Sequence, residues 1–345
     1  MLKGKKVYHL SHTDLDGYSC QLITKRCFEH IAFYNSDYGK EINERITQIF
    51  DRIEFEKYEE NLVLITDVNL TPDQAKFLLK NVQECDLEVE ILLLDHHKTG
   101  QESANKYDWY HLDVKRCATK ITYDYFLELG YDISAMKKYV DVVNAIDIWQ
   151  DESEYFELGK VCMRLVSNSR EINRMLFSGQ NSAYIFHLLE KAQAYFEAEN
   201  PHIVLDDKVH ALKKSFFRKE EDNTLENLVS NFIVEMLTRH AGAMTVYYHD
   251  KKGLLTYSIG NVSIIGNDFL VKNPEFDFFM NINGRGNVGL RANNNCDVSA
   301  LSKAVFNGGG HANASGGRFE GFRDSFIYED IKEQVQDKLT IGENS

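Results

Sequence analysis

The chain is short of positive charge: its 345 residues carry 39 Lys and Arg against 53 Asp and Glu, a net charge of −14. Proteins that grip long nucleic acid neutralise many phosphates with basic side chains, so no long duplex partner is expected. A phosphate-bearing ligand should be small, or held by a local cation. No run of eighteen apolar residues occurs, which argues against a membrane span, and the opening "MLKGKKVYHL" lacks the apolar region and small-residue cleavage site of a secretory signal. A cytoplasmic protein with no membrane partner is expected. The six cysteines, Cys20, Cys27, Cys85, Cys117, Cys162 and Cys296, form no C-x-x-C pair. This speaks against a zinc ribbon and against a disulfide framework, and reduced, mostly buried thiols are expected. There is no internal repeat and no low-complexity tract.

With 43% hydrophobic residues the chain can bury a substantial core, and its length suits two domains. In the first half, "KVYHL" (6–10), "IAFY" (31–34), "LVLIT" (62–66) and "ILLL" (91–94) are near-continuous apolar runs, the pattern of parallel strands buried on both faces. Helical stretches lie between them, at 17–29 and at 72–82, the latter with Thr71 as cap and Pro72 at the first position. Further helices are predicted at 118–129, 135–146 and 182–199. Residues 200–240 read as helical with a loop at "KEEDNT" (219–224). Beyond 241, "AMTVYYHD", "LLTYSIG" and "FDFFMNI" read as strands and "DVSALSKAVF" as a helix. The fold class is therefore α/β, with a parallel doubly wound sheet domain and a smaller α+β C-terminal domain joined by a helical connector. The boundaries are 1–190, 191–240 and 241–345.

In an open α/β sheet, ligands bind beyond the carboxyl ends of the strands. Three early strands end in polar clusters: "SHTDLDG" (11–17), "TDVN" (66–69) and "DHH" (95–97). Two carboxylates about 4 Å apart repel by roughly 4 kcal/mol at an effective dielectric of about 20, so several in one cleft call for protons or cations. Interleaved imidazoles point to metal, and mixed Asp and His ligation without thiolate suits Mn²⁺ and related ions. Each piece also has a plain structural reading. "DLDG" serves as a turn, "TDVNLTP" as a helix entry, and His9 as a core histidine. The adjacent His96 and His97 are harder to explain by packing, since two imidazoles directly after "ILLLD" would cost burial for nothing.

With these motifs in order, the chain resembles the DHH phosphoesterase superfamily. "SHTDLDG", "ITDVNL", "LLLDHHK" and "VVNAIDIWQ" (142–150) match that family's four motifs, and "NGGGHANASGG" (307–317) resembles the hallmark of the DHH-associated C-terminal domain. "SHTDLDGYSC" and "NAIDIWQ" are most similar to the nano-RNase B branch of oligoribonucleotide phosphodiesterases. The resemblance implies two ions, Mn²⁺ with Mg²⁺ or Co²⁺ as substitutes. One would be held by His12, Asp14 and Asp67, the other by Asp16, Asp67, His96 and Asp147. Asp141, on the same helix, is the alternative to Asp147. Relatives place the first histidine four residues before the first aspartate. Here His12 is two before Asp14 and His9 five before, and His12 is favoured. Asp95 would orient the site and His97 would serve the substrate, as the catalytic pair.

In the small domain, Gly308, Gly309, Gly310 and His311 admit a phosphate to backbone N–H groups, and Arg291 offers it a bidentate fork. Arg116 and Lys120 are secondary candidates. Tyr18, Phe278 and Trp149 are aromatic enough to stack on bases, but core packing is expected of each. The implied activity is hydrolysis of very short RNA to mononucleotides, with 3'-phosphoadenosine 5'-phosphate as a further substrate. Partners would be short RNA or small nucleotides, and a homodimer is compatible. Cyclic (di)nucleotide hydrolysis and a metal-bound nucleotide sensor without turnover are the alternatives.

Overall fold

The computed structural model describes residues 2, 4–220 and 222–342. They divide into two compact units. One is the chain up to Ser169 together with Ser182–Leu212; the other is Arg170–Asn181 together with the chain from Lys213 onward.

In the first unit five parallel strands, β1 (Lys6–Ser11), β2 (Ile31–Asn35), β3 (Glu60–Thr66), β4 (Glu88–Asp95) and β5 (Tyr110–Leu112), lie in the order β2-β1-β3-β4-β5. The expected doubly wound sheet is present, and β5, only three residues long, is an addition to it. The order reverses between β1 and β3, which makes the carboxyl ends of these two strands the switch point where such sheets bind ligands. Register brings Ser11 beside Asn35 and Thr66, and Thr66 beside Leu94. The residues that succeed β1, β3 and β4 therefore emerge at one edge.

Helices cover both faces. In helix Lys40–Glu56, Ile42, Ile46, Ile49 and Ile53 recur every three or four residues and, with Ala75 and Leu78 of helix Pro72–Glu84, pack on Tyr8, Leu10, Val63, Ile65 and Leu93. Each fully buried aliphatic side chain there contributes about 1.5–3 kcal/mol. Thr71 and Gln74 form a capping box at the start of helix Pro72–Glu84. On the opposite face lies helix Leu15–Cys27, reached from β1 by His9, with helices Ala118–Glu128 and Lys137–Asp147 packed beside it.

The second unit holds a six-stranded mixed sheet of β6 (Thr245–Tyr248), β7 (Lys251–Tyr257), β8 (Phe278–Ile282), β9 (Asn287–Ala292), β10 (Gly309–His311) and β11 (Ala314–Arg318), in the order β10-β11-β9-β8-β7-β6. Strands β7 and β8 pair in parallel and the other neighbours antiparallel. One face is closed by Leu301, Val305 and Phe306 of helix Val298–Phe306 and by Ile331, Val335 and Leu339 of helix Tyr328–Gly342. Helices Pro201–Phe217 and Leu225–Met244 flank the segment expected as a loop at 219–224, of which Glu221 lies outside the described residues, and the division between units falls after Leu212. Among the described residues no helix is long and apolar enough to cross a membrane. All six cysteines are free; Cys20, Cys117 and Cys162 are buried and the other three only partly, so burial of the thiols is less general than expected.

Candidate metal centre and hydrolytic site

The loop after β1 folds back tightly. Asp14 caps helix Leu15–Cys27 by accepting the Gly17 N–H at 3.0 Å. A side chain at position 17 would come within 2.4 Å of the His12 carbonyl oxygen, so glycine is the residue that lets the helix start this close. The cap leaves the other Asp14 oxygen, Oδ2, 2.9 Å from His12 Nδ1. Both readings of "DLDG" thus hold at once, as turn and as part of a cluster. Asp16 has a structural duty of its own, accepting the N–H groups of Ala118 and Thr119 at 2.8 Å each, at the start of helix Ala118–Glu128. Its Oδ2 is also 3.7 Å from His96 Nε2.

Asp67 is the centre of the arrangement. It succeeds β3 in the left-handed region, φ 57°, which is strained for a residue with a side chain. Its Oδ1 lies 3.3 Å from His96 Nε2, and its Oδ2 lies 3.9 Å from His12 Nδ1. Asp147 Oδ2 approaches His96 Nε2 at 3.6 Å from the end of helix Lys137–Asp147. Donor atoms close enough to share an ion occur in three groups among the described residues: His12, Asp14 and Asp67; Asp67, His96 and His97; Asp16, Cys117 and Asp147.

The electrostatics say what such a cluster needs. Burial, then the charges of Asp16 and Asp14, push Asp67 well above the usual carboxylate range. Asp147 is pushed up to about 9, again by burial first and then by Asp16 and Asp14. Asp67 Oδ2 and His12 Nδ1 are both buried without a hydrogen-bond partner; the 2.9 Å approach of His12 Nδ1 to Asp14 is not aligned as a hydrogen bond. Orphaned buried polar atoms are costly. A divalent cation would satisfy them and offset the mutual repulsion, so oxygen and imidazole donors here fit such an ion. Burial and the Asp16 charge hold the Cys117 thiol well above its usual range, which leaves it a poor thiolate donor.

The two adjacent histidines differ. Burial pulls His96 below the ordinary imidazole value, which favours the neutral, lone-pair-bearing form. Burial also works against charge on His97, but Asp95 overcomes it and holds His97 above the ordinary value. Asp95 Oδ1 lies 2.7 Å from His97 Nδ1, and Tyr110 donates to Asp95 Oδ2 at 2.6 Å. Asp95 thus supports His97 rather than the partner histidine that would face a metal. On the far side, His97 Nε2 is 2.9 Å from the Tyr38 hydroxyl. Sequence reasoning misses Tyr38; it belongs to "NSDYG", at the carboxyl end of β2, where the same strand-end rule applied to a fourth strand would find it.

No family model matches the chain. A 3',5'-cyclic-nucleotide phosphodiesterase of Helicobacter pylori (strain ATCC 700392 / 26695) is 46% identical over 342 residues, covering 96% of this chain and 98% of the relative. The chain belongs to this phosphodiesterase family. An oligoribonuclease, NrnB, of Bacillus subtilis (strain 168) is 24% identical over 324 residues, covering 90% of this chain and 72% of its own. The solved structure of an uncharacterised protein from Helicobacter pylori G27 superposes with a TM-score of 0.92 at 44% identity, covering 98% of this chain and 99% of that one. These relatives support the DHH resemblance and make the chain a phosphoric ester hydrolase.

In this phosphodiesterase the remaining candidates sort themselves by contact. His9 is fully buried, with Nδ1 2.8 Å from Thr24 Oγ1 and Nε2 2.8 Å from Thr66 Oγ1. Both nitrogens are spent in the core. Asp141 is paired with Lys120 and Lys137, and Arg116 with Asp113 and Asp124, so the alternative ligand and both secondary phosphate contacts are engaged elsewhere. Tyr18 and Phe278 are core residues, as expected. Trp149 is not: it is 64% exposed, at a left-handed backbone position, φ 56°, just past the helix end.

In the phosphodiesterase's second unit Arg291, Gly309 and His311 share one sheet face, whereas Gly310, between the last two, belongs to the opposite face and Gly308 precedes the strand. His311 pairs with Ala314 and Ala314 with Arg291, so these three form one row across β10, β11 and β9. The next row on that face is Gly309, Gly316 and Gly289, a strip with no side chains. Gly310 has φ 147°, a conformation that suits glycine. Arg291 donates to Ser263 Oγ at 2.5 Å and to the Leu290 carbonyl at 2.7 Å. The glycine-rich stretch is thus an antiparallel hairpin rather than an open loop.

Proposed function

We propose that the chain is a divalent-metal phosphodiesterase, using Mn²⁺, that cleaves small nucleotide substrates: 3',5'-cyclic nucleotides and very short oligoribonucleotides. The observation that carries this reading is Asp67, strained, buried and central, with an orphaned oxygen toward His12 and the other toward His96. His12, Asp14 and Asp67 would hold one ion, and Asp16, Asp67, His96 and Asp147 the other, with Mg²⁺ or Co²⁺ as substitutes. This is a donor set of carboxylate and imidazole. When bound, such a pair supplies an activated water and neutralises charge at phosphorus. The names of the relatives at 46% and 24% identity support both substrate classes, and the nano-RNase B likeness supports the second.

The chain's own groups do the rest. Asp95, fixed by Tyr110, accepts from Nδ1–H of His97 and so aims Nε2 outward; from the imidazolium form that Asp95 favours, Nε2–H passes its proton to the leaving oxygen and the ring is left neutral. The Tyr38 hydroxyl meets that nitrogen at 2.9 Å. In the second unit, Arg291 and His311, set in one row beside the glycine strip, would receive a terminal phosphate. A net charge of −14 suits such short ligands.

Purified protein with Mn²⁺ should turn over a 3',5'-cyclic nucleotide and a dinucleotide, should also accept 3'-phosphoadenosine 5'-phosphate, and should leave a long RNA intact. Preference for the long RNA would sink the reading, and no turnover of any of them would replace it with a nucleotide sensor.

Two substitutions test the residue roles. Arg291→Ala removes a charged hydrogen-bond donor, about 1.5–3 kcal/mol, so KM should rise roughly 10- to 150-fold with little change in kcat. His9→Ala should destabilise the fold by about 3 kcal/mol through the cavity and two unpaired hydroxyls while keeping Mn²⁺ affinity. His12→Ala should do the reverse. Calorimetric Mn²⁺ titration and melting in chelator separate the two; equal metal affinity in both variants would contradict the assignment.

A further inference from the structure

We propose that the exposed indole of Trp149 is the platform on which a nucleobase of the substrate stacks beside the acidic cluster. The proposal rests on the reading of the site as a nucleotide phosphodiesterase. Helix Lys137–Asp147 ends in two bonds, Gln150 N–H to the Ala145 carbonyl at 2.8 Å and Trp149 N–H to the Ile146 carbonyl at 3.3 Å. That pattern puts Trp149 at the left-handed position of a helix stop, φ 56°, where glycine is the favoured residue because a side chain strains the backbone.

A bulky aromatic is a poor choice for stopping the helix, and it gains little from packing in return. Phe156 meets it at 5.1 Å, near a right angle, yet 64% of the residue stays exposed. Strain of this kind persists at functional positions. Trp149 is two residues from Asp147, so the two Cα atoms lie within about 7.6 Å of each other, and Asp147 is 3.6 Å from His96. A phosphate engaged at the cluster would bring the base of its own nucleotide within reach of the indole. Stacking recognises any base by its face, which suits an enzyme of short, mixed-sequence substrates.

The chain has two tryptophans, and Trp109 is stacked against Tyr107 at 4.9 Å, so a Trp109→Phe protein reports Trp149 alone. Adding 5'-AMP should quench its emission saturably, whereas ribose 5-phosphate, which lacks the base, should not. No quenching by 5'-AMP, or equal quenching by both, would overturn the proposal. This readout needs no turnover, so it decides the stacking even if ribonucleotide hydrolysis fails, and that failure alone counts against the functional reading. In kinetics, the preference for a dinucleotide over its abasic counterpart should shrink roughly 5- to 150-fold in Trp149→Ala and largely survive in Trp149→Phe. Trp149→Gly should raise the melting temperature by relieving the backbone while losing the base preference. Earlier melting with the preference retained would make the indole a packing residue and overturn the proposal.

Discussion

Asp67→Asn is expected to lose hydrolysis by more than about 100-fold, the upper end of what losing even a ligand's supporting partner costs, while the chelator-treated protein melts within about 1 kcal/mol of the parent. The reasons are local. Burial and neighbouring carboxylates favour the protonated form of Asp67, and asparagine is nearly its isostere. Asparagine also tolerates the left-handed backbone, φ 57°, better than most residues. What it cannot supply is a negative charge shared between His12 and His96. The variant should therefore show a much reduced thermal shift with Mn²⁺, and activity close to the parent's would dismiss Asp67 as the bridge.

The second large effect concerns metal and pH together. Asp147 is pushed up to about 9 and Asp67 well above its usual range, against about 3.9 in an unfolded chain. Between those limits the folded chain keeps protons that the unfolded chain has released. Stability in chelator should therefore fall as pH rises from about 5 toward 9, by up to about 1.4 kcal/mol per pH unit for Asp147, with Asp67 acting in the same direction. Ions compete with those protons, so their affinity rises with pH. At 100 times the dissociation constant, each site should add about 2.7 kcal/mol. Melting curves with Mn²⁺ and with chelator should converge near pH 5 and separate widely by pH 8. Curves that coincide at pH 8 would remove the metal centre.

Much of the first unit is legible in the sequence because its strands are buried on both faces. The apolar runs of β1, β3 and β4 mark themselves, and in a parallel sheet the residues just past their carboxyl ends must share one edge. The cluster is readable from that rule and from the DHH motifs. Strand β5 escapes because three residues carry no period. Tyr38 escapes because the polar end of β2 holds no histidine or paired aspartate. Trp149 departs from expectation for a different reason: composition assigns a tryptophan to the core, while this one stands exposed at a left-handed backbone position that the residue itself disfavours. Nor does adjacency tell which of two histidines a neighbouring aspartate will support, since Asp95 reaches His97 through the bend after β4. In the second unit, the glycines of 308–317 resemble a loop in sequence, and only strand register shows that Gly309, Gly316 and Gly289 align.

Asp16 ties the early chain to a much later one. Its carboxylate is held by backbone groups of Ala118 and Thr119, about a hundred positions farther along. Of the proposed donors, His12, Asp14 and Asp67 belong to the loops after the first and third strands, whereas Asp16 is fixed only once helix Ala118–Glu128 is in place. In the proposed metal centre, the ion set that includes Asp16 would therefore be completed only after that distant helix has docked.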